Sequence, residues 1–149
     1  MLSKILSDFY ARDIRKFIDE LNAFKDEHHI WQTAGSVKNS SGNLALHIVG
    51  GTNYLIGTTL AHTGYVRNRD QEFIQKGIAR NVLVAELEKL IPLIEQTLRQ
   101  YTDEDMAAEY PMMFDGMNTS KSYVLVQLLA HLNYHLGQVN YLRRKKEDH

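Results

Sequence analysis

The sequence predicts an all-α protein, a four-helix bundle that forms a single domain over residues 1–149, and three observations support that fold class. In four separate segments, apolar residues recur at intervals of three and four, which is the spacing of one face of an α-helix. The length suits one domain with one hydrophobic core, and no linker or internal repeat divides the chain. The chain has no cysteine, so a disulfide framework, a thiolate metal site and a cysteine nucleophile are all excluded.

The first two helices are predicted over residues 2 to about 28 and residues 43–62. The second follows Ser40-Ser41-Gly42, which is typical of a helix N-cap. It carries apolar residues on more than one side, which indicates burial on more than one side and predicts a subunit interface. Gly50 and Gly51 would each cost a helix about 1 kcal/mol relative to Ala. We therefore expect a neighbouring helix or a ligand to approach closely there.

Two long connections separate the last three helices. The first, residues 64–77, is polar, and long connections in compact domains are either functional or disordered. The third helix has apolar residues at helical spacing over residues 83–98, and Pro92 within this pattern predicts a kink. After an irregular connection over residues 102–119, the last helix is expected to run from near residue 120 to about residue 146.

Charge and hydropathy argue against several classes of function. The formal net charge is −1, whereas a nucleic-acid binder usually has a clear basic excess. Residues 143–146 are all basic, but they lie where positive charge favours the dipole of the last helix. The N-terminus has no apolar core of the length found in signal peptides, and no run approaches the ~18 apolar residues of a membrane span. We expect a cytoplasmic protein that binds neither nucleic acid nor a membrane.

Three histidines are the residues that point to chemistry. His131 and His135 are four residues apart on the last helix, so their Cβ atoms lie about 6 Å apart on one side. Two imidazoles placed in this way can bind one metal ion at about 2.0–2.1 Å each. They point in the same direction as Val124 and Val139 of the apolar face, and therefore into the bundle.

His47 supplies a third candidate ligand from the inward face of the second helix, beside the two glycines. Three imidazoles occupy one side of a metal ion and leave positions open for water or substrate, which indicates catalysis more than structural support. Hydrogen bonds to other side chains would also satisfy buried imidazoles. A metal-free bundle with hydrogen-bonded histidines therefore stays open as an alternative.

The histidines and their flanking residues resemble the DinB-like family of metal-binding four-helix bundles. One histidine lies early in the second helix, in NLALHIVGGTNYLIG, and the C-terminal helix carries His-x3-His-x-Gly-Gln, in HLNYHLGQVNYLRR. The resemblance spans nearly the whole chain and places the family's metal ligands at His47, His131 and His135. It implies zinc or nickel, a homodimer, and either a thiol-dependent S-transferase or isomerase that uses a low-molecular-weight thiol other than glutathione or a metal-dependent hydrolase.

Further residues are candidates for the pocket or for support of the ligands. Asn43 lies one turn before His47, and Gln138 lies beside His135. Each either orients its histidine or is an ordinary polar residue at a packed helix edge. Tyr54 either lines the pocket or packs in the core with its hydroxyl group satisfied.

Two arginines in the first long connection are further candidates. Arg67 and Arg69 can bind a carboxylate on a thiol or a substrate. Alternatively, they pair with Asp70 and Glu72 in a solvated loop. No side chain stands out in the sequence as a general base, so no catalytic residue is assigned.

Three functional hypotheses follow. In the first, the protein is a metal-dependent thiol S-transferase or hydrolase, in which the metal activates a thiol or water to attack a small electrophilic substrate. In the second, the same fold binds a metal or a small molecule without catalysis, for example in a stress response. In the third, the bundle holds no metal and its histidines only form hydrogen bonds.

Overall fold

The computed structural model describes residues 1–148, and within that range it contains helices and two isolated β-bridges but no β-strand. The all-α prediction is therefore confirmed. Of the helices in this range, none is long and apolar enough to cross a lipid bilayer. The helices are α1 Leu2–Ala23, α2 Ser41–Thr52, α3 Thr59–Ala61, α4 Arg69–Ile74, α5 Arg80–Arg99, α6 Asp103–Ala107 and α7 Lys121–Glu147, with a 3₁₀ turn at Glu27–Trp31 and a π-helix at Asn53–Thr58.

Side-chain caps explain where several helices begin. The hydroxyl groups of Ser40 and Ser120 accept backbone N–H groups at the starts of α2 and α7. The sequence predicted a cap at the first of these positions and a helix start near the second. The first helix is shorter than expected, because it ends at Ala23 rather than near residue 28. The helix is shorter because a separate 3₁₀ turn begins at Glu27, where Asp26 acts as the N-cap and accepts the backbone N–H of His28.

The two long connections contain short helices. The first includes α4, whose N-cap Asn68 accepts the backbone N–H of Gln71. The second includes α6, which begins with a reciprocal capping box between Thr102 and Asp105. The helix between them, α5, continues as one helix through Pro92.

The long helices pack around a shared apolar core. Helices α1 and α2 each contact both α5 and α7, and α2 also contacts α4. Burial of large apolar side chains of this kind stabilises a fold by about 1.5–3 kcal/mol each. The fully buried members include Phe17, Leu21, Leu87, Leu90, Val124 and Val139.

The several apolar sides of α2 are covered by this chain itself. Ile48 and Val49 of α2, Ile56 of the following π-helix and Leu60 of α3 are all buried within the single chain, each less than one tenth exposed. They need no second subunit, because α4, α5 and α7 surround α2. The homodimer stays a prediction, but the apolar residues on several sides of the second predicted helix no longer support it.

Candidate metal centre

Packing of α2 against α7 brings together the three histidines that the sequence singled out. The ligand-capable atoms of His47, His131 and His135 all lie within 4.8 Å of one another. His131 Nε2 lies 3.4 Å from His47 Nε2 and 2.9 Å from His135 Nε2. His47 is buried, and the other two rings are partly buried.

These distances fit a single divalent cation. Two nitrogens that each lie about 2.05 Å from one ion are about 2.9 Å apart at a right angle and about 3.3 Å apart at the tetrahedral angle. The two Nε2 separations of 2.9 and 3.4 Å span that range. A set of imidazole nitrogens suits zinc, copper, iron and nickel and disfavours calcium and magnesium, which prefer oxygen ligands.

Two hydrogen bonds select the tautomer in which Nε2 is free to bind an ion. His47 Nδ1 lies 3.0 Å from Glu72 Oε1, and His135 Nδ1 lies 2.7 Å from Gln138 Oε1. Each oxygen accepts the Nδ1–H, so the lone pair is on the Nε2 atom that faces the cluster. Gln138 is therefore placed to orient a histidine, which is one of the two roles expected for it.

Glu72 is the main site residue that the sequence analysis missed. It had been considered only as the partner of an arginine in a solvated loop, whereas its side chain is 7% exposed. Arg67 donates to both of its carboxylate oxygens, each at 2.8 Å, while His47 donates to Oε1. The result is a buried chain of contacts from Arg67 through Glu72 to His47.

Gly50 makes room for this carboxylate. A Cβ atom at residue 50 would lie 1.9 Å from Glu72 Oε2, so any larger residue would collide with it. The close approach predicted from the glycine pair is thus realised by a side chain of α4. Gly50 indicated in the sequence that some group approaches α2 closely, but it could not indicate that this group is the side chain of Glu72.

The two arginines of the connection have different environments. Arg67 forms the predicted pair with Glu72, but the pair is mostly buried rather than solvated. Arg69 is exposed, and no carboxylate within residues 1–148 lies within 4 Å of its guanidinium nitrogens. Both arginines line a cleft that reaches the histidine cluster.

Burial keeps the three imidazoles neutral. It is the largest cause that lowers the pKa of each of these histidines. The pKa of His131 is lowered to about 4, because repulsion from the other two rings and from the arginines adds to burial. Hydrogen bonds to Glu72 and Gln138 partly oppose the shifts for His47 and His135. Near neutral pH all three rings can therefore offer a lone pair to a cation.

A cleft of about 360 Å³ gives access to His47 and His131. Arg67 and Arg69 contribute its positive charges, and apolar side chains such as Ile48 and Leu128 contribute much of its remaining wall. Within the described residues its one carboxylate is Asp115, an exposed side chain that the sequence analysis did not identify. The cleft can therefore admit a small, preferably anionic molecule to the histidines.

The two remaining candidates lie outside this cleft. The buried Asn43 side chain donates to the backbone carbonyls of Glu72 and Gln75, both at 2.9 Å, and so attaches α4 to α2. Its effect on the site is indirect, since it holds the backbone that carries Glu72. Tyr54 is partly buried, and its hydroxyl group lies 3.8 Å from Met112 Sδ.

A family model matches nearly the whole chain. The model described as "Protein of unknown function (DUF1572)" matches residues 3–149. No curated protein matches the chain. These comparisons assign the chain to a family and assign it no activity, so the inference of function depends on the geometry of the site.

Proposed function

The chain belongs to the DUF1572 family, whose function is unknown, and on that premise we propose that it is a metal-dependent enzyme with a DinB-like four-helix-bundle fold. The observation that carries the proposal is the convergence of three neutral imidazoles beside an open cleft. A site with three protein ligands leaves coordination positions for a reactant, which is typical of catalytic rather than structural metal centres.

The donor set supports zinc or nickel as the bound metal. All three donors are imidazole nitrogens, and the chain has no cysteine that could add a thiolate. Glu72 and Gln138 accept the Nδ1–H groups of two of the rings. Supporting contacts of this kind fix ring orientation and typically contribute about 10- to 100-fold to metal affinity.

The proposed reaction is the transfer of a thiol to a small electrophile. Hydrolysis is the alternative reaction, in which the metal activates water instead of a thiol. When bound, the ion supplies Lewis acidity, which lowers the pKa of a coordinated thiol or water. The chain supplies neutral ligands held in one orientation and a cleft that limits the size of the reactants. We propose that Arg69 binds a carboxylate of a low-molecular-weight thiol; it lines the cleft, and no carboxylate of the described residues lies within 4 Å of its guanidinium nitrogens.

One observation favours a second candidate, a non-catalytic metal or small-molecule binding protein of the same fold. A general base must lie within hydrogen-bond reach of the proton that it removes. Among the described residues that line the cleft, Asp115 is the one carboxylate, and it is exposed on a tight turn with Gly116. Binding without turnover therefore remains the competing proposal.

Two further parts of the proposal are the homodimer and the cytoplasmic location, which stay predictions. Large apolar side chains near the start of α7 are left partly in solvent and are available for a subunit contact: Tyr123 and Val126. Light scattering at micromolar concentration should give twice the mass of the chain. A monomeric mass would reject the dimer.

Elemental analysis tests the metal site. We expect about one zinc or nickel per chain in freshly purified protein. The metal should be lost in the triple variant His47→Ala, His131→Ala, His135→Ala and retained in the exposed control His28→Ala. Circular dichroism checks that each variant folds. An absence of metal, even after incubation with zinc or nickel, would leave the metal-free bundle, in which an Nε2–H of His131 donates to a neighbouring ring.

Activity is tested on the metal-loaded protein with panels of low-molecular-weight thiols, electrophiles and esters. Turnover that disappears in His131→Ala supports the enzyme. A bound metal with no turnover on any panel supports the binding protein instead. Full activity in His131→Ala would show that the histidine site is not where the reaction occurs.

A further inference from the structure

A second and larger cleft also reaches the histidine cluster. It lies between residues 34–39, which precede α2, and the C-terminal half of α7. His135 and Gln138 line it, whereas His47 and His131 line the smaller cleft, and the two clefts share no lining residue. We name it the α7 cleft. A ligand in it would approach the histidine cluster separately from one in the smaller cleft.

The α7 cleft has the size and the walls of a small-molecule site. Its volume is about 920 Å³, within the range of about 300–1,000 Å³ that is common for ligand pockets. Tyr134 and Tyr141 line it and are 65% and 72% exposed, and Val37 is 44% exposed. Exposed tyrosine rings offer flat apolar surfaces at a small entropic cost, and they favour a ligand with a planar apolar body.

The charge of the α7 cleft is positive. Lys38 and Lys145 line it, and no carboxylate of residues 1–148 does so. Neither ammonium group has a carboxylate within 4 Å in that part of the chain. The formal charge of the whole chain is −1, so the positive charge of this cleft comes from its own lysines and not from a basic excess of the chain. It favours the binding of an anion.

We propose that the α7 cleft binds a small organic anion with an aromatic body. The ring would lie against Tyr134 and Tyr141, and the anionic group would lie near Lys38 or Lys145. If the proposed function holds, and this part rests on it, the anion is the electrophilic substrate and the smaller cleft takes the thiol. The candidate ligand His135 also lines the cleft, but the binding itself does not require the metal, because Tyr134, Tyr141, Lys38 and Lys145 supply the proposed contacts and none of them is a candidate ligand.

The test is calorimetric titration with 1-naphthoate and with the neutral 1-naphthalenemethanol, on both zinc-loaded and chelator-treated protein. We expect 1-naphthoate to bind at one site per chain and more tightly than the alcohol. The double variant Lys38→Gln, Lys145→Gln should bind 1-naphthoate about tenfold more weakly, since it removes both positive charges that attract the carboxylate. Tyr141→Ala should weaken both ligands.

Two controls identify the cleft. The double variant Lys16→Gln, Lys89→Gln removes the same charge elsewhere and should leave the affinity for 1-naphthoate unchanged. Arg69→Gln alters only the smaller cleft and should also leave it unchanged. Equal binding of the alcohol and the anion, or a loss of binding in Arg69→Gln, would overturn the assignment.

Metal content measured on the same samples separates this inference from the proposed function. Binding of 1-naphthoate to a protein that takes up no metal would support the cleft and reject the enzyme. Uptake of metal without binding of 1-naphthoate at millimolar concentration would reject the cleft and leave the enzyme proposal standing. A dimer that dissociates in Tyr134→Ser, Tyr141→Ser and does not bind 1-naphthoate would show that a second copy of the chain covers this surface.

Discussion

At Gly50, one added methyl group should weaken metal binding more than it weakens the fold. The new Cβ atom would lie 1.9 Å from Glu72 Oε2 and 2.6 Å from Glu72 Cδ. Ordinary contacts between such atoms are about 3.5 Å, so the carboxylate must withdraw by roughly 1.5 Å. Arg67 holds both carboxylate oxygens, which prevents the group from rotating aside and keeping its contact with His47.

The displacement should remove the hydrogen bond between His47 Nδ1 and Glu72 Oε1, which is 3.0 Å long in the structure. Hydrogen bonds to charged groups contribute about 1.5–3 kcal/mol, which corresponds to roughly 10- to 100-fold in zinc affinity. In contrast, alanine is favoured over glycine within a helix by about 1 kcal/mol. Gly50→Ala should therefore bind zinc more weakly, while its melting temperature without metal should fall by only a few degrees, because the helix preference for alanine offsets part of the lost hydrogen bond.

Gly51→Ala is the matched control. It adds the same methyl group one residue later in α2, where the nearest atom is Arg67 Nη2 at the ordinary distance of 3.4 Å. Zinc affinity is measured by competition with a chromophoric chelator, and thermal unfolding of the metal-free proteins is followed by circular dichroism. Equal zinc affinity in the two variants would refute the argument that Glu72 holds His47 in its binding orientation.

Two other predictions concern the same cluster. Gln138→Leu should lower zinc affinity about tenfold in the same competition assay, because His135 loses the acceptor of its Nδ1–H. An unchanged affinity would mean that α7 alone orients the ring. The second prediction concerns pH. Burial lowers the pKa of the three histidines in the folded protein, to about 4 for His131, so the unfolded chain takes up protons first as the pH falls. The free energy of unfolding of the metal-free protein should therefore decrease as the pH is lowered from 6.5 towards 4. Urea unfolding of chelator-treated protein measures this slope, and a triple His→Ala variant with the same slope would contradict the assignment.

The parts of the fold that depend on local pattern were predictable. Apolar spacing located the helices that became α1, α2, α5 and α7, and the segment Ser40-Ser41-Gly42 indicated the N-cap of α2. The end of α1 was misplaced because a cap on Asp26 begins a separate turn. The apolar residues around α2 suggested a subunit interface because residues 64–77 were predicted to be a polar connection. In the structure this connection contains α4, which covers part of α2.

The histidine cluster was partly predictable for the same reason. The spacing of His131 and His135 places them together on any helix. The position of His47 on the inward face of the second helix made it the third candidate, and the resemblance to a known family pointed to the same residue. Glu72 was not predictable. It is 25 residues from His47 in the chain, and it lies in a helix of six residues with too few positions to show a period.

The two supported histidines differ in what their orientation depends on. Gln138 is three residues from His135 on the same long helix, so that contact exists wherever the C-terminal half of α7 is helical. Glu72 reaches His47 only if α4 is docked, and the docking depends on Arg67 and on the backbone contacts of Asn43. A short helix has little stability of its own and depends on such tertiary contacts. Metal binding should therefore be unusually sensitive to changes in residues 67–75, although none of them is a candidate ligand.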